Sequence, residues 1–146
     1  MGSAEAAMAG IHEWLDGFAR CVRQCDFESG RAFFHRDVYC FGSRAAVCTS
    51  LDELVQQQWR QIWPNITDFR FEAGALHCQL SEDARLACLM VPWVSTGYHR
   101  DGTLFPRRGR VTIVLTRSSA NERWRARHTH YSLYPGTPED TRRPGP

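Results

Sequence analysis

The spacing of apolar residues changes halfway along this chain, and that change restricts the folds available to it. In the first half they recur every three or four residues, as on one face of an α-helix, beginning with Ile11, Trp14, Leu15, Phe18, Val22 and Cys25. In the second half apolar and polar residues alternate, which is typical of strands with one buried face. Helices followed by strands predict an α+β domain, with the helices packed on one face of a curved, mostly antiparallel sheet.

Capping and turn signals divide the chain into three predicted helices and five strands. Asp26 can cap a short second helix, and Ser50 with Glu53 forms a capping box for a third helix that ends at Pro64. A short strand, VYCFGS, lies between the second and third helices. The later strands are ITDFRFEA, ARLACLMVPWVSTGY, RRGRVTIVLTR and RWRARHTHYSL.

The length of 146 residues, without an internal repeat or linker, predicts one domain over residues 1–134. The last segment, PGTPEDTRRPGP, is rich in proline, glycine and charge, so we expect residues 135–146 to form a disordered or loosely attached tail.

Charge and hydropathy exclude several partners. The formal net charge of +2 is too small to indicate a nucleic-acid surface. No apolar run approaches the ~18 residues of a membrane span, and the first residues lack the features of a signal peptide. We therefore expect a cytoplasmic protein with no membrane or nucleic-acid partner. The six cysteines show no zinc-ribbon spacing and are expected to be reduced thiols in the core.

The chain's ending, GRVTIVLTR followed by RWRARHTHYSLYPG, resembles the nuclear transport factor two-like superfamily, as does the order of its helices and strands. That superfamily includes ketosteroid isomerase, scytalone dehydratase, limonene epoxide hydrolase and SnoaL-type polyketide cyclases. The last strands are most similar to SnoaL-like proteins, and the association domain of calcium/calmodulin-dependent kinases ends similarly. The resemblance implies a cone whose sheet curls around the first helix, an internal apolar cavity for a ligand, and a homodimer formed through the sheet's outer face.

Two histidines, His128 and His130, are separated by one residue on the last predicted strand. Strict alternation places both on one face with Ser132. We interpret that face as lining the cavity, and we assign His128 and His130 as candidate catalytic residues because imidazole exchanges protons near neutral pH.

Two other roles for these histidines stay open. They could hydrogen-bond their neighbours within a folded wall, or they could begin a metal site. A metal site needs a third ligand, and the candidates His35, His99 and Cys40 each lie in a different predicted element. We therefore assign no metal and no cofactor.

The penultimate strand presents a conflict between two predictions. Val111, Ile113 and Leu115 form one apolar face, which hydrophobicity directs to the core. The resemblance implies instead that Arg110 and Thr112, on the opposite face, look into the cavity. An interior Arg110 would require a carboxylate from the protein or an anionic group of a ligand.

Aromatic residues are candidates for the cavity walls. Trp59 and Trp63 lie one turn apart on the third helix, Trp93 lies on a strand, and Tyr98 could donate a hydrogen bond to a carbonyl. The predicted substrate-binding set is therefore Trp59, Trp63, Trp93, Tyr98, Arg110, Thr112 and Ser132.

Ketosteroid isomerase carries a carboxylate base on its short first strand, where this chain has VYCFG and offers Cys40. This departure argues against steroid isomerisation by the family's usual base. We predict a small-molecule-binding protein, with a cofactor-independent isomerase, dehydratase or cyclase acting on a hydrophobic or aromatic substrate as the enzyme class. The alternatives are a non-catalytic ligand-binding or oligomerisation module and a metalloenzyme using His128 and His130.

Overall fold

The computed structural model describes residues 2–145 and confirms the predicted α+β cone. Its α-helices are α1 (Ser3–Gln24), α2 (Phe27–Arg31), α3 (Leu51–Leu54) and α4 (Arg60–Ile62). Its strands are β1 (Phe34–Phe41), β2 (Thr67–Phe71), β3 (His77–Leu80), β4 (Leu86–Tyr98), β5 (Leu104–Thr116) and β6 (Arg125–Leu133). The sequence did not predict β3, whose four residues are too few for a periodic signal.

The predicted third helix changes its geometry along its length. The side chain of Ser50 accepts a hydrogen bond from Glu53 N at 3.1 Å, as the capping box predicted. After α3 the chain makes a π-helical turn, Val55–Trp59, before α4 and a final 3-10 turn that contains Pro64. The π-helical turn contains the adjacent residues Gln58 and Trp59, and both are buried.

The six strands form one curved, unclosed sheet in the order β1-β6-β5-β4-β2, and β3 also pairs with β4. Neighbouring strands are antiparallel except for β1 and β6, which run parallel. The helices cover the inner face of the sheet, where the apolar stripe of α1 and the inward residues of β4 and β5 join one hydrophobic core. The core lies between helices and sheet, as alternation predicted.

A β-bulge in β6 changes which of its residues face the core. Val114 pairs with His128, whereas the next residue of β5, Leu115, pairs with Ala126. Arg127 is therefore an extra residue with no partner in the β5–β6 register, and the alternation of β6 shifts by one position there. Ala126 and Thr129 both point inward although they are three residues apart.

Part of the last segment, around Thr141, is hydrogen-bonded to the body of the protein. Thr141 is buried, and its Oγ1 donates a hydrogen bond to Asn65 O at 2.7 Å and accepts one from Tyr98 N at 2.9 Å. Arg142 N donates to Tyr98 O at 2.9 Å. One threonine thus supplies hydrogen bonds, between this segment and the body of the protein, that composition does not reveal.

No helix in the described part of the chain is both long and apolar enough to cross a membrane.

Candidate functional site

A cavity lies inside the cone, between residues 51–65 and the inner face of the sheet. We call residues 51–65, which include α3, the π-helical turn and α4, the third helical segment. In the cavity, the space that the centre of a water-sized sphere can occupy is about 40 Å³, and all the space between atoms there, including space open to solvent, is about 500 Å³. Its lining is Phe18, Val22, Phe34, Gly42, Ser43, Leu54, Gln58, Trp59, Ile62, Trp63, Ile66, Phe69, Trp93, Arg107, Thr129 and Tyr131. We call this space the cone cavity. The composition of its lining, apolar walls with a few polar groups, is the composition of ligand sites.

Aromatic rings form much of the cavity wall. The structure places the candidates Trp59, Trp63 and Trp93 there. Trp59 and Trp63 stack with ring centroids 4.5 Å apart and an interplanar angle of 18°. Phe18 and Phe34 pack against Trp59 at 5.6 and 5.2 Å, so the rings form one continuous cluster.

Arg107 is the charged group of the cavity. It lies on β5, on the inner face with Val111, and only 2% of its surface is exposed. Its Nη2 donates a hydrogen bond to Ser43 Oγ at 3.0 Å, and its guanidinium lies 5.3 Å from the centroid of the Trp93 ring. Within residues 2–145 its Nε has no hydrogen-bond partner and no carboxylate forms an ion pair with it. Burial lowers the pKa of Arg107 to about 10, so the group stays charged at neutral pH.

Gln58 holds the loop that follows β1 beside Arg107. Its Oε1 accepts hydrogen bonds from Arg44 N at 2.9 Å and from Ala45 N at 2.8 Å, and its Nε2 donates to Ser43 Oγ at 2.8 Å. Ser43 Oγ therefore accepts from both Gln58 and Arg107. Because a hydroxyl has two acceptor positions and one proton, neither of these bonds uses the Ser43 proton, which remains available for a further acceptor.

Tyr131 and Trp93 add two further donors. Tyr131 Oη and Trp93 Nε1 are buried, and neither has a hydrogen-bond partner among the residues that the structure describes. The two rings lie 6.1 Å apart. Burial is the main cause that raises the pKa of Tyr131, and the nearby Cys40 raises it further. The phenol therefore remains protonated and able to donate a hydrogen bond.

The predicted orientation of His128 and His130 is wrong. Both lie on the outer face of the sheet, because the bulge at Arg127 shifts the alternation of β6 before them. His128 Nδ1 donates a hydrogen bond to Tyr39 O at 2.7 Å. His130 is exposed and packs beside Phe41, with ring centroids 4.9 Å apart. The inward residues of this strand are Thr129 and Tyr131 instead.

On β5, the apolar face predicted from hydrophobicity is the inward face, and the face implied by the resemblance is the outward one. Val111, Ile113 and Leu115 are buried, so Arg110 and Thr112 face outward. With Ser132 and His130 they line an outer-face groove of about 670 Å³, together with Ala75, His77, Met90, Val91, Pro92, Val111 and Tyr134.

Arg110 and Tyr98 make their hydrogen bonds away from the cone cavity. Arg110 Nε donates to Ser132 Oγ at 3.3 Å on the outer face, and the guanidinium lies over Tyr134 at 5.7 Å. Tyr98 shares a hydrogen bond with Thr67 Oγ1 at 2.9 Å and anchors the segment around Thr141. Neither Arg110 nor Tyr98 borders the cone cavity.

The candidate third metal ligands do not join the two histidines. His35 shares a hydrogen bond with Thr116 Oγ1 at 2.7 Å, His99 packs on Phe105, and Cys40 is buried on the opposite face of the sheet. Within the described range, residues 2–145, no group of three His, Cys, Asp or Glu side chains is arranged to hold a metal ion.

Cys40 is buried beside Thr129. Burial raises its pKa to about 11, against an ordinary value of 9.0, and a hydrogen bond with Thr129 lowers it by less. The protonated thiol therefore predominates at neutral pH, which argues against Cys40 as a nucleophile.

The raised pKa of Cys40 predicts a pH effect on stability. The folded protein holds this proton more tightly, so the stabilisation is complete below pH 9 and is lost as the pH rises toward 11. Between these values we expect the free energy of unfolding of the parent to fall more steeply than that of Cys40→Ala, by up to about 1.4 kcal/mol per pH unit. Urea titrations at several pH values measure this slope. Val38→Ala, a buried change on the same strand without a titrating group, should keep the parent's slope, and a Cys40→Ala slope equal to the parent's would contradict the expectation.

Sequence reasoning missed Arg107, Gln58, Ser43 and Tyr131. A signal for Arg107 was available, because the alternation that makes Val111 inward also makes residues 109 and 107 inward. No comparable signal marked Tyr131, since the bulge depends on how β6 pairs with β5.

Comparisons with solved structures confirm the fold. A nuclear transport factor 2-like (NTF2-like) superfamily protein from Salmonella enterica serovar Typhimurium has a TM-score of 0.72 at 16% identity, covering 90% of this chain and 93% of that chain. An NTF2-like family protein from Streptomyces avermitilis has a TM-score of 0.74 at 14% identity, covering 90% and 99%. The association domain of CaMKII from C. elegans has a TM-score of 0.66 at 13% identity, covering 88% and 96%. At these identities the likeness shows the fold alone.

Sequence comparisons identify the family. A comparison with curated proteins finds no match. The profile of the SnoaL-like domain matches residues 11–136, which is most of the chain. These residues include every strand and all the residues that line the cone cavity. The chain therefore belongs to the SnoaL-like domain family.

Proposed function

We propose that the protein binds a small, flat organic molecule in the cone cavity. The observation that carries this proposal is the pair of buried donors Tyr131 Oη and Trp93 Nε1, which have no partner within residues 2–145 and lie among aromatic walls. A buried polar atom without a partner costs free energy that a ligand oxygen could recover. An aromatic surface with a few converging polar groups suits an aromatic or hydrophobic ligand.

The chemistry of the cavity favours a ligand with a carbonyl or carboxylate oxygen. Tyr131 is a neutral donor, and among residues 2–145 no imidazole and no carboxylate lines the cavity. Proton transfer by His128 and His130 is not part of this proposal, because both lie on the other side of the sheet. The cavity's own contribution is to hold an oxygen atom of the ligand and to stabilise negative charge on it.

A ligand panel tests this function. We expect at least one of acetophenone, 2-acetylnaphthalene, benzoate and cinnamate to raise the melting temperature of the protein and to give a binding isotherm by calorimetry. Tyr131→Phe removes one hydroxyl and should weaken that binding about tenfold, the effect of about 1.4 kcal/mol from one lost hydrogen bond.

The matched control is His130→Ala, on the outer face of the same strand, which should leave the affinity unchanged. A panel in which no compound binds would refute the proposal. Binding that is lost in His130→Ala and kept in Tyr131→Phe would place the site on the outer face instead.

A second function, self-association, is favoured by the outer face of the sheet. Tyr39, Phe41 and Met90 expose 62%, 43% and 57% of their surfaces there, beside His128 and His130. Exposed apolar side chains clustered on one sheet face mark interaction sites. The structural likeness to an association domain supports the same reading. We propose a homodimer formed through this face.

The dimer is tested by size-exclusion chromatography with light scattering. We expect a mass of twice the 16.7 kDa chain and expect Met90→Arg to shift the protein toward the monomer. Val47→Arg, an exposed change outside the sheet, is the control and should leave the mass unchanged. A parent protein that stays monomeric at high concentration would exclude this interface.

A further inference from the structure

We infer that the ligand of the cone cavity is a monocarboxylate whose anionic group takes Arg107 as its partner. This inference rests on the proposed function and names the class of molecule that the cavity would bind. It is carried by the charge and the hydrogen-bonding pattern of the cavity.

Arg107 carries a buried charge without a countercharge. Its one side-chain hydrogen bond goes to a neutral hydroxyl, that of Ser43, at 3.0 Å. Among residues 2–145 no carboxylate pairs with it, although four other arginines form ion pairs on the surface. An unpaired buried guanidinium is costly, and the cost is recovered when an anion enters the site.

Most of the free hydrogen-bonding capacity around Arg107 is that of donors. Within the described range, Arg107 Nε and Trp93 Nε1 can only donate and lack partners, and Tyr131 Oη, which can donate or accept, lacks one too. The Ser43 proton is available as a further donor. The acceptor that lines the same space, Gln58 Oε1, already receives two backbone N–H groups. An ionised carboxylate is a pure acceptor with two oxygens, so it complements this set, whereas an amide or an alcohol brings its own donor.

The side chains that carry these donors are neighbours in the cavity wall. The guanidinium of Arg107 is 5.3 Å from the Trp93 ring centroid, and the Trp93 ring is 6.1 Å from the Tyr131 ring. The stacked rings of Trp59 and Trp63 line the same cavity and provide an apolar wall for the body of the ligand. The combination suits an aromatic or flat unsaturated carboxylic acid.

The single positive charge of the cavity favours a ligand with a single negative charge. Arg107 is the one cationic side chain that lines the cavity among residues 2–145. A phosphate monoester carries close to two negative charges at neutral pH and would remain partly uncompensated in this apolar space. A single carboxylate balances the single guanidinium.

Matched pairs of acid and amide test this inference on the parent protein. We expect calorimetry to show that cinnamate binds at least tenfold more tightly than cinnamamide, with the same preference for benzoate over benzamide. Phenyl phosphate should bind more weakly than benzoate. Equal affinity for acid and amide would overturn the inference while leaving the proposed small-molecule function standing. If neither acids, amides nor ketones bind, the proposed function fails and the inference fails with it.

Variants of Arg107 assign the preference to one side chain. Arg107→Met keeps the length and removes the charge, so we expect the ratio of the acid and amide dissociation constants to approach one. Its melting temperature should equal or exceed the parent's, because a buried unpaired charge has been removed. Arg107→Lys keeps the charge and should keep part of the preference. Arg110→Met, an exposed arginine on the outer face of the same strand, should behave like the parent. A preference that survives intact in Arg107→Met would overturn the assignment.

Discussion

Replacing Trp59 by alanine is expected to destabilise the protein by about 3–5 kcal/mol, the usual cost of removing a large buried aromatic side chain. Trp59 is 3% exposed and stacks on Trp63 at 4.5 Å. It also packs against Phe18 of α1 and Phe34 of β1, with ring centroids 5.6 and 5.2 Å apart. Its removal therefore takes away contacts that join these two elements to the third helical segment. The free energy lost is a large part of the ~5–15 kcal/mol that stabilises a typical domain.

Urea unfolding followed by circular dichroism measures this loss, because tryptophan fluorescence changes with the substitution itself. Trp59→Phe keeps an aromatic ring in the stack and should lose much less stability. Leu104→Ala, at a side chain that is 62% exposed, should stay within about 0.5 kcal/mol of the parent. A loss below about 1 kcal/mol in Trp59→Ala would show that the aromatic cluster does not support the fold as the structure indicates.

Gly109→Ala is expected to cost about 3 kcal/mol, at the upper end of the range for overpacked positions. Gly109 lies on β5, and a Cβ there would collide with the carbonyl oxygen of Ser132 on β6. It would also come within 2.7 Å of Cζ2 of Trp93. Because the obstructing atom belongs to the backbone, a side-chain rotation cannot relieve the clash, and β5 and β6 must separate locally.

For a chain of this length we expect the melting temperature of Gly109→Ala to fall by about 10 °C. The disturbance lies beside Trp93, so ligand binding in the cone cavity should weaken as well. Gly74→Ala is the matched control, since a Cβ at Gly74 meets nothing within 4 Å. Equal melting temperatures for the two variants would mean that β5 and β6 are not held in the register described above.

Strands β5 and β6 differ in how well the sequence predicted which of their side chains face the cone cavity. On β5 the alternation of Val111, Ile113 and Leu115 predicted the inward face, and the structure confirms it. Extending that alternation toward the start of the strand also places Arg107 on the inward face. The charged residue of the cavity could therefore have been predicted from the sequence. On β6 the same rule failed, because one extra residue at Arg127 moves His128 and His130 to the outer face.

The third helical segment was also predictable only in part. The capping box at Ser50 and Glu53 predicted where it begins, and Trp59 and Trp63 were predicted to share a face. The π-helical turn that contains Gln58 was not predictable, because it inserts a residue into a helix without a local signal. Gln58 then bonds Ser43, Arg44 and Ala45 on a loop that the sequence places 13 to 15 residues away.

What the sequence by itself determined was the fold class, the helical and strand segments, the family resemblance and the aromatic wall. The fold class and the segments follow from the periodicity of apolar residues, which each segment carries within itself. The family resemblance rests on the residues of the chain's ending and on the order of the elements. What only the tertiary structure decided was the direction of the polar side chains: Arg107 and Tyr131 inward, His128 and His130 outward, and Thr141 docked against Asn65. The physical reason is that a bulge, a π-helical turn and a docked tail are stabilised by partners from distant parts of the chain, and single-sequence periodicity does not contain those partners.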